Sequence, residues 1–235
     1  IRGRWKYCSG STHATLFTAN CVIEADGNET DRKIRSFVFL PEQVSIIKDW
    51  QAFGLKATAS HTMVVEDVFV PEERTFDLTE ECFYYSDPIY RYPFVPFAET
   101  SFTAVAIGIG QHFIQEAGRI VEHKKEVWDT GKYTFVRRQC EASERNLSQA
   151  MDDFYEQVDA SWDMVVHGET LPADVQRRIS KQCKKTARTA VSCAQSIFPY
   201  LGMEAIMEDT RINRIWRDLH TACQHTMLVP TGDDE

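Results

Sequence analysis

Between Trp5 and Ala14 the chain reads Trp-Lys-Tyr-Cys-Ser-Gly-Ser-Thr-His-Ala, and here the sequence concentrates groups able to do chemistry. An aromatic-rich strand runs into a Ser-Gly turn and a second apolar strand follows, so Ser9 falls at a strand end with its hydroxyl free to point at a ligand. A planar ligand suits such a site. The same turn also fits a plain hairpin corner, and the local residues leave both readings open.

The elements that must hold this stretch divide the chain in two. From Trp5 to about Pro71 the pattern is short and strand-like, with runs at Thr15 to Ala25, Ile34 to Leu40, Val44 to Trp50 and His61 to Val70. Turn signals such as Ala25-Asp26-Gly27-Asn28 and Leu40-Pro41-Glu42 separate them, and Pro71 closes the last because it has no N–H for a ladder. A small antiparallel barrel or sandwich is predicted. Residues 72–96 form a polar, then aromatic and proline-rich connector, including Phe83-Tyr84-Tyr85 and Tyr92-Pro93-Phe94-Val95-Pro96. Its aromatic density implies packing over something apolar. Tyr84, Tyr85, Tyr90, Tyr92, Phe94 and Phe97 fit either an aromatic pocket or ordinary hydrophobic core.

After Pro96 the period becomes helical. Phe97 to Trp128 is more uniformly apolar at its start and reads as the most buried helix, with Gly108 and Gly110 leaving room for a close neighbour. From about Phe135 to His167 the residues Leu147, Met151, Phe154, Val158, Trp162 and Val165 recur at spacings of three and four, one stripe of an amphipathic helix. Val175, Ile179, Cys183, Ala187, Val191, Ala194 and Phe198 repeat the pattern after Pro172, a residue suited to a first helical turn. A last helix is predicted from about Thr210 to Leu228. The expected fold is α+β, a middle β domain over residues 1–90 followed by a C-terminal four-helix bundle over 91–235.

Composition narrows the function. Of 235 residues, 43% are hydrophobic and 26% charged, ordinary values for a globular protein. The formal net charge of −9 opposes binding along a nucleic-acid backbone, which requires clustered Lys and Arg. No run reaches the roughly 18 apolar residues of a membrane span, and no signal-peptide pattern opens the chain, so a cytoplasmic protein without membrane attachment is expected. Seven scattered cysteines, Cys8, Cys21, Cys82, Cys140, Cys183, Cys193 and Cys223, contain no Cys-x-x-Cys pair. They read as reduced, mostly buried thiols rather than disulfides or a metal site. Ile1 is not a start methionine and Ile1-Arg2-Gly3-Arg4-Trp5 reads as the middle of a strand pair, which predicts an upstream portion.

Three stretches together resemble the acyl-CoA dehydrogenase superfamily from its middle domain onward. They are Trp5 to Ala14, the run Asp49-Trp50-Gln51-Ala52-Phe53-Gly54-Leu55-Lys56-Ala57-Thr58-Ala59-Ser60 with the strand after it, and Arg217-Asp218-Leu219-His220-Thr221-Ala222-Cys223-Gln224-His225. The order and spacing resemble most the two-component, flavin-dependent monooxygenase branch, which includes 4-hydroxyphenylacetate hydroxylases and dibenzothiophene monooxygenase. The resemblance implies an oxygenase component that takes reduced FMN or FAD from a separate flavin reductase and oxygenates a small, aromatic substrate through a flavin C4a-hydroperoxide. It also implies a homotetramer.

By the same resemblance Ser9 meets flavin N5, Tyr7 lies beside the isoalloxazine, Trp50 lies near the flavin, and Thr58 and Ser60 serve its ribityl-phosphate side. A hydroxyl at N5 in a dry pocket prolongs such an adduct by keeping the N5 proton and excluding water. From the residues alone, Trp50 is equally a core tryptophan and the hydroxyls equally turn formers. Dehydrogenases of the fold place a glutamate where this chain has Thr226, which abstracts no proton. The adjacent His225 matches the histidine of the phenol-hydroxylating branch, and with an ordinary pKa near 6.5 it suits taking a phenol proton. Helical periodicity puts His225 at the edge of the stripe Ile215, Leu219, Ala222 and Thr226, with Thr221 one turn away to orient it. His13 is a second candidate for the substrate or flavin pocket, whereas His61, His112, His123 and His167 have no such context. The competing readings are an acyl-CoA dehydrogenase with Glu99 as its base, and a non-catalytic family member.

Overall fold

Short strands that turn part of their residues inward build the first part of the molecule. In the computed structural model, which describes residues 1–23, 33–78 and 84–230, the chain forms two units: residues 1–52 with 56–82, and residues 53–55 with 83–235. Among the described residues the first unit contains six strands, β1 (Gly3–Cys8), β2 (Phe17–Ile23), β3 (Lys33–Phe39), β4 (Ser45–Ile47), β5 (His61–Val65) and β6 (Thr75–Phe76). They form two three-stranded antiparallel sheets, in the orders β1-β5-β4 and β2-β3-β6. Phe17 and Ala19 on β2 point inward while Thr18 and Asn20 point out. The inward residues of both sheets, with Phe39, Met63, Val65 and Val70, close one core.

The Ser-Gly turn is therefore not a hairpin corner, because β1 and β2 belong to different sheets. β5 stops at Val65 rather than Val70, since Asp67 takes a φ of 51° that no strand accommodates. β6 arises inside the stretch expected as connector, where Thr75 Oγ1 accepts from Arg35 Nε at 2.7 Å and pins the chain to β3. The Ala25–Asn28 turn, Cys82 and Phe83 lie outside the described residues.

The second unit is helical: α1 (Pro88–Arg91), α2 (Phe94–His123), α3 (Thr130–Val166), α4 (Ala173–Ile197), α5 (Met203–Ile206) and α6 (Arg211–Ala222). α2 begins two residues before Pro96, which is harmless there because first-turn N–H groups have no helical acceptor. Asp129 caps α3 by accepting from Lys132 N at 2.9 Å. Phe113, Leu147, Ala190, Ile197, Ile215 and Leu219 join α2, α3, α4 and α6 in one core. Gly110 admits the close neighbour that the sequence predicts, since a Cβ there would lie 3.0 Å from Ala190 Cβ and 3.3 Å from Leu147 Cδ2. Gly108 does not, for nothing lies within 4 Å of its would-be Cβ.

α6 ends at Ala222, six residues before the predicted Leu228. Beyond it the bonds tighten, with Gln224 N donating to Thr221 O and His225 N to Ala222 O, both at 3.2 Å. These three-residue closures replace the helical ladder, and Leu228 is buried with Ala106 and Ala187. Among the described residues no helix is long and apolar enough to cross a membrane. Cys140, Cys183 and Cys193 are buried and Cys8, Cys21 and Cys223 half-buried, all as free thiols. Burial pushes the Cys140, Cys183 and Cys223 thiols up to about 11, which suppresses their reactivity.

Within the bundle His112 Nε2 accepts from Arg211 Nη2 at 2.9 Å. Burial, and then the Arg211 charge, hold the imidazole below its ordinary pKa. A base depressed in the folded state takes its proton more readily when unfolded, so stability is complete above about pH 6.5 and falls as pH drops below it. His112→Gln keeps an acceptor for Arg211 without the titration. Its Tm is expected to decline less than that of the parent between pH 7 and 5 in thermal melts.

Candidate functional site

The six candidates of the first unit gather at one end of the β1-β5-β4 sheet. Cys8 pairs with His61 across β1 and β5, so Ser9 and Ser60, each one step past that pair, are brought side by side. Ser9 Oγ lies 2.8 Å from Ser60 Oγ, and Thr58 Oγ1 lies 2.7 Å from the same atom. Ser60 is buried and owns one hydroxyl proton, so it can donate to only one of these neighbours and accepts from the other or from both. When Thr58 donates to Ser60 and Ser60 to Ser9, the Ser9 proton is left to point outward.

Backbone bonds lock this arrangement. Gly10 N donates to Thr58 O at 2.7 Å, Ser11 Oγ to Ala59 O at 2.9 Å, and Ser9 N to Tyr7 O at 2.9 Å. Gly10 has a φ of 77°, which only glycine adopts without cost. Two non-glycine residues share the left-handed region here, Tyr7 at 65° and Ala59 at 46°. Such positions cost about 1–3 kcal/mol each and persist only where the surroundings over-determine them. The shift in register between Trp5 and Cys8 turns the Tyr7 ring out of the strand, 71% exposed. There it meets Trp50 edge to face at 6.2 Å.

Trp50 is positioned through its own backbone, because its N–H donates to His61 Nδ1 at 3.0 Å. Next to it, Asp49 accepts from Thr62 Oγ1 at 2.6 Å and Thr62 N at 2.9 Å, and the hydroxyl bond holds its carboxyl below the usual range. His13 is exposed, and its ring lies 3.4 Å from where a Gly10 Cβ would stand. The supporting roles of His61 and Asp49 escaped the sequence reading, which had no register to show that they face Trp50 and Thr62.

The candidate of the second unit, His225, sits in the turn after α6 rather than on the helix. Its ring stacks on Phe102 of α2 with centroids 3.9 Å apart and planes 26° apart. Nδ1 accepts from Met227 N at 3.3 Å, and partial burial lowers the imidazole pKa. Thr221, expected to orient it, instead donates its hydroxyl to Arg217 O at 2.9 Å. No spacing rule pointed to Phe102, an aromatic on the exposed face of α2. Arg217 and Asp218 of the same stretch grip Phe53–Leu55: Arg217 Nη1 donates to Phe53 O at 3.1 Å, and Leu55 N to Asp218 Oδ1 at 2.6 Å. Glu99 lies buried inside the bundle, its Oε1 accepting from Ser180 Oγ at 2.7 Å. Tyr92, counted among possible pocket aromatics, bonds Ser161 through its hydroxyl at 2.6 Å, while Tyr85 stacks on Tyr90.

The family model for the acyl-CoA dehydrogenase C-terminal domain matches residues 100–230. Among curated proteins, an indole-3-acetate monooxygenase of Pseudomonas putida is 30% identical over 97% of this chain and 59% of its own length. The oxygenase subunit HsaA of a flavin-dependent monooxygenase from Rhodococcus jostii (strain RHA1) is 25% identical over 98% of this chain and 63% of its own. Among solved structures, a 3-HSA hydroxylase from Rhodococcus sp. RHA1 superposes with a TM-score of 0.87 at 23% identity, over 97% of this chain and 60% of that one. XiaF from a Streptomyces, in complex with FADH2, gives 0.73 at 21% identity, over 97% and 60%. These structures share the fold. The chain spans about three-fifths of the length of the relatives it matches.

Proposed function

From the membership of this chain in the acyl-CoA dehydrogenase family, through the C-terminal domain spanning residues 100–230, we propose that it is the oxygenase component of a two-component flavin monooxygenase. It takes reduced FMN or FAD from a separate reductase and oxygenates a small aromatic substrate. The observation that carries this reading is the hydroxyl chain Thr58–Ser60–Ser9 beside the strained, exposed Tyr7. Support comes also from the relatives, named as monooxygenases of indole-3-acetate and as flavin-dependent oxygenase subunits.

A flat, polar-edged ring system fits these residues. The aromatic pair Tyr7 and Trp50 offers faces and edges to it, while the row of hydroxyls beside them matches its heteroatoms and side chain. Reduced flavin, when bound, supplies the electrons that activate O2 for transfer of one oxygen atom. Ser9 holds the proton at N5, Tyr7 and Trp50 flank the isoalloxazine, and Thr58 and Ser60 serve the ribityl-phosphate side. Ser60, locked from both sides, keeps the Ser9 hydroxyl oriented before substrate arrives. His13 lies beside this cluster as a second pocket residue, and His225 meets the reacting edge of the substrate. The reading includes a middle β domain to about residue 90, a bundle after it, a homotetramer and a cytoplasmic setting. Glu99, turned into the bundle toward Ser180, gives no support to the dehydrogenase alternative.

The test mixes the protein anaerobically with photoreduced FMN or FAD, then adds phenol or indole and 18O2. Tight binding of reduced flavin and a product carrying one 18O are the expected results. Bleaching of bound oxidised flavin by an acyl-CoA, without labelled product, would replace the oxygenase by the dehydrogenase.

A further inference from the structure

We infer that His225 meets its substrate as a hydrogen-bond donor through Nε2–H, not as a base, and so selects an aromatic that turns an oxygen acceptor toward it. The inference rests on the placement of His225 at the substrate edge proposed above, and it names the substrate class. The reason lies in the far side of the ring. Nδ1 accepts the backbone N–H of Met227 at 3.3 Å, and a backbone amide nitrogen can only donate. Nδ1 must therefore carry the lone pair, and the neutral ring carries its one proton on Nε2.

The surroundings hold that tautomer in place. His225 N donates to Ala222 O at 3.2 Å and Leu228 N donates to His225 O at 2.8 Å, which closes the turn on both sides of the imidazole. Leu228 is buried with Ala106 and Ala187, so the segment carrying the Met227 amide is anchored in the core. Phe102 covers one face of the ring at a centroid distance of 3.9 Å, which fixes its plane and favours approach along the Nε2 edge. A proton on Nδ1 would set N–H against N–H. Partial burial further favours the neutral form.

The neutral imidazole thus has no outward lone pair with which to remove a proton. An Nε2–H instead stabilises the oxygen of a bound phenol, most strongly as phenolate, whose proton leaves to water on binding. A heteroaromatic that offers its own N–H at the same place opposes donor to donor and leaves both unsatisfied. Phe102 and the Met227 amide are positioning groups in this scheme, acting through His225.

Nitrogen-15 NMR of histidine-labelled protein reads the tautomer without flavin or substrate. The His225 signals, identified by their loss in His225→Gln, are expected as a pyridine-type Nδ1 and a pyrrole-type Nε2. The reverse order, or the exchange-averaged shifts of free imidazole, would overturn the inference. The second arm compares His225→Gln, whose amide N–H reaches the Nε2 position without basicity, with His225→Ala in phenol oxygenation. At least about tenfold more product from the glutamine variant is expected. Equal losses reject the donor role while the oxygenase stands, and equal retention removes His225 from the substrate edge. Failure of the parent protein to bind reduced flavin is the separate result that rejects the oxygenase itself.

Discussion

Gly54→Ala is expected to destabilise the protein by at least about 3 kcal/mol, the upper range for forced overpacking. For a chain of this size that lowers Tm by about 10 °C. A Cβ at residue 54 would stand 2.2 Å from Arg217 O, 2.4 Å from the Arg217 carbonyl carbon and 2.6 Å from Thr221 Oγ1. The first two belong to the backbone of α6, which cannot retreat without opening its ladder. Nor can the tripeptide move away, because Arg217 Nη1 holds Phe53 O, Asp218 Oδ1 holds Leu55 N, and Phe53 packs edge to face on Trp216 at 5.7 Å. Gly108→Ala is the control. Its Cβ meets nothing within 4 Å, and alanine is the better helix former by about 1 kcal/mol, so that variant is expected to hold or gain stability. Thermal melts of the two variants decide the matter. Equal melting temperatures would show that α6 yields more easily than its hydrogen bonds indicate.

Ser9→Ala is expected to lower the ratio of oxygenated product to hydrogen peroxide by about a hundredfold, the scale seen when one positioned hydrogen-bond partner is lost from a reacting centre. The variant retains β1, the Gly10 N bond to Thr58 O and the Tyr7–Trp50 contact, so flavin binding is expected to survive. Ser60→Ala is a different lesion. It leaves the Ser9 hydroxyl in place but removes the common partner of Ser9 and Thr58, so the hydroxyl rotates freely and the ratio falls by less. Product and peroxide measured in the same reaction separate these cases from simple loss of flavin. If Ser9→Ala leaves the ratio intact, the hydroxyl chain is a structural clasp at the end of the β1-β5 pair.

Local chemistry made much of this molecule legible from its residues. The three-and-four spacing of Leu147, Met151, Phe154, Val158 and Val165 marks α3 because helical periodicity involves neighbours only a turn apart. The alternation at the start of β2 is local in the same way. The Ser9 turn, the run around Trp50 and the stretch ending in His225 were each visible as groups of suitable chemistry.

What the residues alone determined was the kind of each element, the α+β class and the inventory of reactive groups. Tertiary structure decided which groups meet. Strand pairing joins residues far apart in the chain, so only the register of β1 on β5 sets Ser9 against Ser60 and aims the His61 imidazole at Trp50. Helix ends depend on competing bonds and anchors, so α6 stops at Ala222, where three-residue closures and the buried Leu228 take over. Only the packing of α2 on its neighbours distinguishes Gly110, where a Cβ would press on Ala190 and Leu147, from Gly108, where it would meet nothing within 4 Å. The ring beneath His225 comes from Phe102, on another helix, because side-chain contacts between elements follow from how their apolar faces close on one core, and no spacing within either element encodes that meeting.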